Sequence, residues 1–430
     1  MQTRLADEQI SAVFVKSLQQ KDLIDTGDTA VIFYDLSFLN ARVQDLAATF
    51  PATALHAIAI KANPLQKILK KIKAWDIGVE AATLPELHLA LGAGFSADKI
   101  VFDSPAKTIA ELEFALHAGI HVNADSFAEL ERIDAILRQK PSLSTIGLRI
   151  NPQVGTGKIL ATSVAGDYSK FGVPLNDHRY EIKEAFWRYD WLRGVHVHIG
   201  SQGCQVEMLI SGIAKVLDLV HEINAELYAQ RKSGKIHLFD LGGGLPVAYH
   251  RGEVPVSMRR YKDELEARCP ELFTRKFKLM TEFGRNIYAN TGWVASRVEY
   301  VKPGRNFHTV ILHVGADLFL RECYNPQDWH HEIIVADRTG RIKSGPDKQH
   351  YVLAGPLCFA GDVIAREITL PEIEAGDWVI IQDTGAYTLS MWSRYNSRQI
   401  PKVIGYYDEG AAFEILKARE SLEYVLRFWT

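Results

Sequence analysis

A lysine at the end of an apolar run is the residue of this chain with the clearest chemical potential. The run 56–60 is rich in isoleucine and alanine, and it is followed by Lys61 and then by Asn63 and Pro64. A short apolar run ended by Asn-Pro predicts a buried strand, which places Lys61 at a strand end. An ammonium group there is costly to desolvate unless it is paired or used, and such a lysine can form an imine with an aldehyde. The alternative is that Lys61 points into solvent, as most lysines do.

Glycines after two later apolar runs predict an anion site. Gly242, Gly243 and Gly244 are consecutive, and Gly284 follows a further run. Glycine lets backbone amides approach an anion without obstruction, and these positions match the usual phosphate site of a parallel barrel. Ser201 offers a hydroxyl to the same anion, although glycine and serine are also ordinary turn residues. Together with an imine-forming lysine, a phosphate site predicts pyridoxal 5′-phosphate, an aldehyde with a phosphate tail.

Two more side chains at strand ends suit such a cofactor. Glu282 is close in sequence to Gly284 and could keep the pyridine nitrogen protonated, while His198 could stack on the ring face. The alternatives are a structural role for His198 and an ion pair between Glu282 and Arg285. The joint occurrence of these features favours the cofactor site.

The elements that must position these residues are strands alternating with amphipathic helices over roughly 250 residues, far more than one βαβ unit needs. The predicted strands are 56–61, 77–82, 99–103, 120–124, 145–150, 194–198, 237–241 and 278–282. Eight such units predict an α/β fold with a closed parallel (β/α)8 barrel, although an open doubly wound sheet would alternate similarly. In a barrel, the carboxyl ends of the strands meet at one rim.

From about residue 286 the pattern changes to short β-rich runs, 309–314, 331–335 and 377–381, separated by Gly, Pro and Asp turns. We therefore predict two domains. Residues 30–285 form the cofactor-binding barrel and residues 286–430 form a mostly β domain, with residues 1–29 packing with the β domain.

Composition narrows the classes of function. The 430 residues are 47% hydrophobic and 23% charged, which is typical of a soluble globular protein. A net charge of −3 gives no reason to expect nucleic acid or an acidic membrane as a partner. The N-terminus lacks the apolar region of a signal peptide, and no apolar stretch approaches membrane-spanning length. The widely separated cysteines indicate neither a disulfide framework nor a metal site, and we expect a cytoplasmic protein.

Six blocks of the sequence resemble fold-type III pyridoxal-phosphate decarboxylases, the group that includes diaminopimelate, ornithine and arginine decarboxylases. The blocks occur in the family's order and comprise residues 59–63, 196–201, 240–244, 282–285, 355–362 and 383–387. Within the group, residues 198–202 and 395–398 look most like diaminopimelate decarboxylase.

The resemblance implies a role for each matching residue. Lys61 would bond covalently to pyridoxal 5′-phosphate, His198 would stack on it, and Glu282 would meet its pyridine nitrogen. The residues implied to hold the phosphate are Ser201, Gly242, Gly243, Gly244, Gly284 and Tyr387.

The resemblance also implies how substrate is bound and protonated. Arg285 would bind a substrate carboxylate. Cys358 would come from the second subunit of a homodimer and protonate the substrate carbon after carbon dioxide leaves. A thiol is a suitable acid near neutral pH, whereas the alternative for Cys358 is a small buried hydrophobe.

The sequence departs from the family pattern at two positions. Phe283 stands where the family usually has proline, a change that we expect to be tolerated. Phe359 follows Cys358 directly, where diaminopimelate decarboxylases usually carry a glutamate that contacts the distal ammonium group of the substrate. An aromatic ring cannot replace that charge-assisted hydrogen bond, whose loss costs about 1.5–3 kcal/mol.

An altered substrate pocket follows from the second departure. Asp362 lies three residues beyond Phe359 and is a candidate to face a substrate ammonium group. Arg321 and Tyr324 fall where the family often places carboxylate-binding groups, but with different spacing. The sequence leaves the identity of the substrate open.

The sequence thus predicts a pyridoxal-phosphate-dependent decarboxylase acting on an α-amino acid. The second hypothesis is an amino-acid racemase on the same barrel, which Glu282 argues against because such racemases place an arginine near the ring nitrogen. The third is a non-catalytic relative without cofactor, which would be expected to have lost Lys61 or Cys358.

Overall fold

The computed structural model describes residues 2–232 and 235–430 and contains two compact units. The first, here the barrel unit, comprises residues 42–247 and 256–287. The second, here the β unit, comprises residues 1–41, 248–255 and 288–430.

The strands of the described residues are numbered in chain order. They are β1 (Ala30–Asp35), β2 (Leu55–Ala59), β3 (Gly78–Ala81), β4 (Ile100–Asp103), β5 (His121–Ala124), β6 (Ile146–Asn151), β7 (Val173–Pro174), β8 (Leu192–His196), β9 (Leu238–Asp240), β10 (Lys278–Thr281), β11 (Gly292–Lys302), β12 (His308–Leu312), β13 (Ile333–Ala336), β14 (Lys348–Ala354), β15 (Val363–Pro371), β16 (Trp378–Ile381), β17 (Lys402–Tyr407) and β18 (Ala412–Lys417).

The α-helices of the same residues are numbered in the same way. They are α1 (Asp7–Gln19), α2 (Leu36–Thr49), α3 (Gln66–Ala74), α4 (Leu84–Ala93), α5 (Ile109–Ala118), α6 (Phe127–Gln139), α7 (Arg179–Arg188), α8 (Val206–Ala229), α9 (Met258–Arg268), α10 (Arg285–Tyr288), α11 (Leu320–Tyr324) and α12 (Leu422–Trp429). Among the described residues, no helix is both long and apolar enough to cross a membrane.

The barrel unit is a closed ring of parallel strands in the order β5-β4-β3-β2-β10-β9-β8-β6, which closes because β6 also pairs with β5. The predicted (β/α)8 barrel is thereby confirmed. Each predicted strand has a counterpart whose ends lie within two residues of the predicted ends. These strands are buried along almost their whole length, which explains why their sequences are near-continuous apolar runs.

Local signals in the sequence set the ends of the helices between the barrel strands. The side chains of Thr83, Thr108 and Ser126 cap α4, α5 and α6 by accepting a hydrogen bond from a backbone N–H of the first turn. Helices α4 and α5 end at Gly94 and Gly119, whose φ angles of 93° and 80° favour glycine. The helices therefore stop where the next barrel strand must begin.

The β unit is built on a sheet in which β1 pairs antiparallel with β11 and parallel with β17. Its core combines aliphatic side chains with an aromatic group in which the rings of Phe33 and Trp293 stack 3.9 Å apart and Phe14 is edge-on to both. The predicted runs 309–314, 331–335 and 377–381 correspond to β12, β13 and β16.

The predicted start of the barrel at residue 30 differs from the structure. Strand β1 belongs to the sheet of the β unit, and the barrel unit begins at residue 42. All six residues of β1 are buried, so its sequence has no periodicity that could distinguish a barrel strand from a strand of another sheet.

Candidate active site

The carboxyl ends of the barrel strands carry the polar residues predicted to form a site. Lys61 follows β2 in a single 3-10 turn, Ile60–Ala62, rather than on the strand itself. His198 follows β8, Gly242–Gly244 follow β9, and Glu282 directly follows β10. Because these strands run parallel in one barrel, their carboxyl ends share one rim.

Lys61 is paired with a buried carboxylate that the sequence analysis did not single out. Its Nζ lies 2.7 Å from Oε2 of Glu80 on β3, and the Lys61 side chain is 40% exposed whereas that of Glu80 is fully buried. Burial raises the pKa of Glu80 to about 7, although the charge of Lys61 opposes the shift. A carboxyl group with this pKa can exchange a proton with the neighbouring amine near neutral pH.

The raised pKa of Glu80 predicts that wild-type protein loses stability relative to a Glu80→Gln variant as the pH rises from about 4.5 to about 7. In that range the carboxyl has lost its proton in the unfolded state but retains it in the folded state. Because a bound proton becomes more costly to hold as the pH rises, the free energy of unfolding falls. The difference should be on the order of 2–3 kcal/mol, since one pKa unit corresponds to about 1.4 kcal/mol.

Urea denaturation of cofactor-free protein across this pH range measures the effect. The exposed Glu131 provides a control, because Glu131→Gln makes the same chemical change at a carboxyl that is in contact with solvent. If wild-type and Glu80→Gln stabilities stayed parallel over the whole range, the carboxyl would not titrate as described.

His198 presents a neutral ring. Burial, together with the charges of Arg149 and Lys61, holds the pKa of His198 well below its ordinary value. Its Nδ1 accepts a hydrogen bond from the backbone N–H of Gly243 at 3.1 Å, which fixes the ring to the loop after β9. An uncharged, oriented imidazole suits stacking on an aromatic cofactor.

Close packing of the backbone requires the three consecutive glycines. A Cβ on Gly243 would lie 2.4 Å from the backbone oxygen of Glu282, and one on Gly244 would lie 2.1 Å from that of Gly200. The Gly242 N–H donates to Asp240 Oδ1 at 2.9 Å, and the Gly243 N–H donates to His198.

The predicted phosphate role of this loop stays a prediction. The amides of Gly242 and Gly243 already have protein acceptors, because the loop turns back on its own strand. Within the described residues, the Gly244 N–H makes no hydrogen bond. Gly244 thus remains the candidate of the three for a phosphate contact.

Arg285 and Ser201 meet in the barrel unit. Arg285 is buried, and its Nε donates to Ser201 Oγ at 3.1 Å, which joins the predicted carboxylate ligand to a predicted phosphate ligand. Gly284 precedes the short helix α10, and its carbonyl accepts from the Ile287 N–H at 3.1 Å. Phe283 is buried edge-on to Tyr261, with ring centroids 6.0 Å apart. This phenylalanine, which stands where the family usually has proline, therefore occupies an apolar pocket.

Glu282 ends a chain of alternating charges inside the barrel. Arg149 lies 2.9 Å from Asp103, Asp103 lies 3.6 Å from His196, and His196 lies 3.3 Å from Glu282. The other carboxylate oxygen of Glu282, Oε1, is buried and makes no hydrogen bond to any described residue. This series of charges was not predicted from the sequence. The signal that could have indicated it is the presence of charged residues within predicted strands.

The donor set fits pyridoxal 5′-phosphate. An amine beside a titrating carboxyl suits the aldehyde, the neutral ring of His198 suits the cofactor ring, and the orphaned Oε1 of Glu282 is a buried acceptor that needs an N–H donor.

The β unit holds the predicted cysteine in a fixed loop. Cys358 is exposed, which rules out the alternative of a small buried hydrophobe. Its backbone N–H donates to Asn396 Oδ1 at 2.8 Å, and the Tyr395 hydroxyl donates to its carbonyl at 3.4 Å. Asn396 has a φ of 56°, a left-handed conformation that asparagine tolerates better than most residues. The stretch 395–398 therefore positions the cysteine backbone.

Phe359 lies among aromatic side chains. Its ring stacks on Tyr324 with centroids 5.6 Å apart and meets Tyr395 edge-on at 5.9 Å. Tyr324 is 67% exposed, so the three rings, here the aromatic cluster, present apolar surface to solvent.

The expectation that Asp362 faces a substrate ammonium group is not supported. Asp362 is buried, and its two carboxylate oxygens accept hydrogen bonds from the backbone N–H groups of Ala316 and Leu357. These contacts organise the loop that carries Cys358, because each carboxylate oxygen of Asp362 is bound to a backbone N–H group.

Arg321 and Tyr387 contact one another in the β unit. The Arg321 guanidinium donates to the Tyr387 carbonyl at 2.9 Å and lies over the rings of Tyr387 and Trp329, 4.9 and 4.4 Å from their centroids. Tyr387 has a φ of 56°, so this contact stabilises a strained backbone. The binding roles predicted for both residues stay predictions.

Comparison with known proteins identifies relatives along nearly the whole chain. Residues 36–289 match a family described as pyridoxal-dependent decarboxylase, pyridoxal binding domain. The diaminopimelate decarboxylase of Helicobacter pylori is 30% identical over 416 residues, covering 94% of this chain and 96% of that protein. The diaminopimelate decarboxylase of Archaeoglobus fulgidus is 29% identical over 418 residues, covering 95% and 94%.

Solved structures agree with these relatives. The crystal structure of the Helicobacter pylori diaminopimelate decarboxylase with L-lysine matches with a TM-score of 0.81 at 29% identity, over 94% of this chain and 97% of that one. Lysine/ornithine decarboxylase from Vibrio vulnificus, at 21% identity and a TM-score of 0.75 over 93% and 99% of the two chains, shares the fold.

Proposed function

Because the chain belongs to the pyridoxal-dependent decarboxylase family, we propose that it decarboxylates an α-amino acid whose distal end packs against aromatic rings rather than forming ionic contacts. The protein is a carboxy-lyase that uses pyridoxal 5′-phosphate. When bound, this cofactor supplies an electron sink for the electron pair left on the α-carbon as carbon dioxide departs.

The barrel residues prepare that reaction. Lys61 would hold the cofactor aldehyde through Nζ, and Glu80 would accept a proton from this amine or return one to it. His198 would lie against the cofactor ring, Glu282 would accept the pyridine N–H at Oε1, and Arg285 would hold the substrate carboxylate. The support is the Lys61–Glu80 pair, the neutral imidazole and the orphaned carboxylate oxygen.

Cys358 donates a proton to the α-carbon after carbon dioxide has left, and it does so in the site of a partner subunit in a homodimer. Its exposure and the two backbone contacts from Tyr395 and Asn396 support a thiol presented outward in a fixed loop. We place this enzyme in the cytoplasm, and its four free cysteines support that assignment.

The observation that carries the substrate proposal is the environment of Phe359. The aromatic cluster provides apolar surface next to Cys358, and the nearby Asp362 carboxylate is already used by two backbone N–H groups. A substrate ammonium group placed there would lose charge-assisted hydrogen bonds worth about 1.5–3 kcal/mol, a factor of about 10–150 in binding. The curated relatives are diaminopimelate decarboxylases, so meso-diaminopimelate is the reference substrate.

A screen for carbon dioxide release tests the proposal. The panel contains meso-diaminopimelate, lysine, ornithine, acidic amino acids and amino acids with apolar or N-substituted distal ends. We expect a member with an apolar or N-substituted end to exceed meso-diaminopimelate at least about tenfold in kcat/KM. If meso-diaminopimelate were the best substrate, the reading of Phe359 would be wrong, and racemisation without carbon dioxide release would overturn the reaction type.

Replacing Phe359 with glutamate should move the selectivity toward diaminopimelate. We expect Phe359→Glu to raise kcat/KM for meso-diaminopimelate about tenfold, because a carboxylate restores an acceptor for the distal ammonium group. It should lower kcat/KM for the best substrate of the screen. Phe359→Leu is the matched control, since it removes the ring without adding charge. Unchanged selectivity in the glutamate variant would refute the role of this position.

A further inference from the structure

A buried histidine that the proposed mechanism does not use lies between two carboxylates of the barrel. His196 ends β8 and has no exposed surface. Its Nδ1 is 3.6 Å from Asp103 and its Nε2 is 3.3 Å from Glu282. These are ion-pair contacts rather than well-aligned hydrogen bonds, and no other described residue satisfies either ring nitrogen.

The surroundings of His196 are crowded with negative charge. Asp103 and Asp240 are buried beside Glu282, and burial followed by the charge of Glu282 raises the pKa of Asp240 to about 7. The guanidinium of Arg149 is bound to Asp103, and the amine of Lys61 is bound to Glu80. Of these cations, His196 is the one in ion-pair contact with Glu282.

The same neighbours determine the charge of His196. Burial lowers the pKa of its imidazole, but the charges of Glu282, Asp103 and Asp240 more than compensate and raise it well above the ordinary value. Three other histidines of the barrel behave in the opposite way, since burial lowers the pKa of His56, His121 and His198.

We propose that His196 is a positioning residue whose contact with Glu282 holds that carboxylate in place as a partner for the pyridine nitrogen of the cofactor. This inference rests on the proposed role of Glu282. Without the imidazolium, Glu282 would share a low-dielectric site with Asp103 and Asp240 and would lose the cation that contacts it. A Glu282 carboxylate displaced by these like charges would accept the pyridine N–H less well, so the cofactor would be held more weakly.

The charge of His196 can be observed directly. In ¹⁵N-histidine-labelled holoenzyme, the imidazole nitrogens of His196, assigned by their loss in His196→Asn, should both carry protons at about pH 7.5, where an imidazole of ordinary pKa is mostly neutral. A neutral His196 at pH 7 would overturn the proposal whatever the activity of the enzyme.

A pair of variants tests the consequence. In His196→Gln the dissociation constant of pyridoxal 5′-phosphate should rise about tenfold, and the acidic limb of the kcat profile should move up by about one pH unit, with KM changed less than about twofold. His121→Asn is the matched control, because His121 is equally buried but hydrogen-bonds to Thr145 and Asn123 and should leave the acidic limb in place. If His196→Gln failed to fold, His196→Asn would take its place.

Glu282→Gln distinguishes a failure of the role proposed for His196 from a failure of the role proposed for Glu282. If it weakens cofactor binding while His196→Gln leaves both the dissociation constant and the acidic limb unchanged, the role of His196 is wrong and that of Glu282 stands. If Glu282→Gln also has no effect on cofactor binding, the proposed role of Glu282 fails first.

Discussion

Replacing Lys61 with alanine should abolish carbon dioxide release, lowering kcat by about 10³-fold or more. The variant loses the amine that binds the cofactor aldehyde, and the partner of that amine, Glu80, is a carboxylate that cannot form an imine. Single-turnover measurement of carbon dioxide release with the best substrate of the screen gives the rate.

The control for this variant is a lysine of the same region without a chemical role. Lys73 is exposed on α3, and Lys73→Ala should retain full activity. Circular dichroism of both variants must show the same helix and strand content as wild-type protein. A Lys61→Ala enzyme that kept more than about a tenth of wild-type kcat would exclude Lys61 from the chemistry.

Replacing Cys358 with alanine should lower kcat by about 10²-fold or more, the usual contribution of a positioned general acid. The reason is the loss of the proton donor rather than of packing, since Cys358 is exposed and alanine leaves no cavity. Steady-state turnover measures the effect, and Cys269→Ala, a buried thiol of the barrel unit, should change kcat little.

Mixing two inactive variants tests whether the thiol crosses between subunits. Unfolding and refolding Lys61→Ala with Cys358→Ala protein in equal amounts should recover roughly a quarter of wild-type activity, because half of the dimers are mixed and each has one intact site of two. If each subunit used its own Cys358, no mixed dimer would have an intact site. Absence of recovered activity with normal dimer formation would therefore contradict the shared site.

The barrel could be predicted because its strands are short apolar runs bounded by turn residues. The carboxyl ends of those runs also placed Lys61, His198 and Glu282 on one rim, which the closed ring of strands bears out. Strand β1 could not be assigned in the same way. Its pairing with β11 and β17 joins residues hundreds of positions apart, and a fully buried strand carries no pattern that names its partners.

The charged residues inside the barrel were the main part of the site that was not predicted from the sequence. Glu80, Asp103 and His196 lie within predicted strands, but which of them meet depends on the order of strands around the ring. A buried charge within an apolar run is a usable signal of function, because it needs a partner.

Loop contacts were beyond sequence reasoning for a different reason. Gly243 and Gly244 are glycine because backbone segments cross within van der Waals distance, and the carboxylate of Asp362 is used by backbone amides. Both facts depend on which distant backbone segments pack against the loop. No spacing of residues within the loop itself predicts which segments those are.

The site of covalent attachment of the cofactor tests the central claim most directly. Holoenzyme reduced with borohydride, digested and analysed by mass spectrometry should carry the reduced phosphopyridoxyl group on the peptide that contains Lys61, with loss of the visible absorbance. A group attached to a different lysine, or no attached group in protein that releases carbon dioxide from its substrate, would contradict the account.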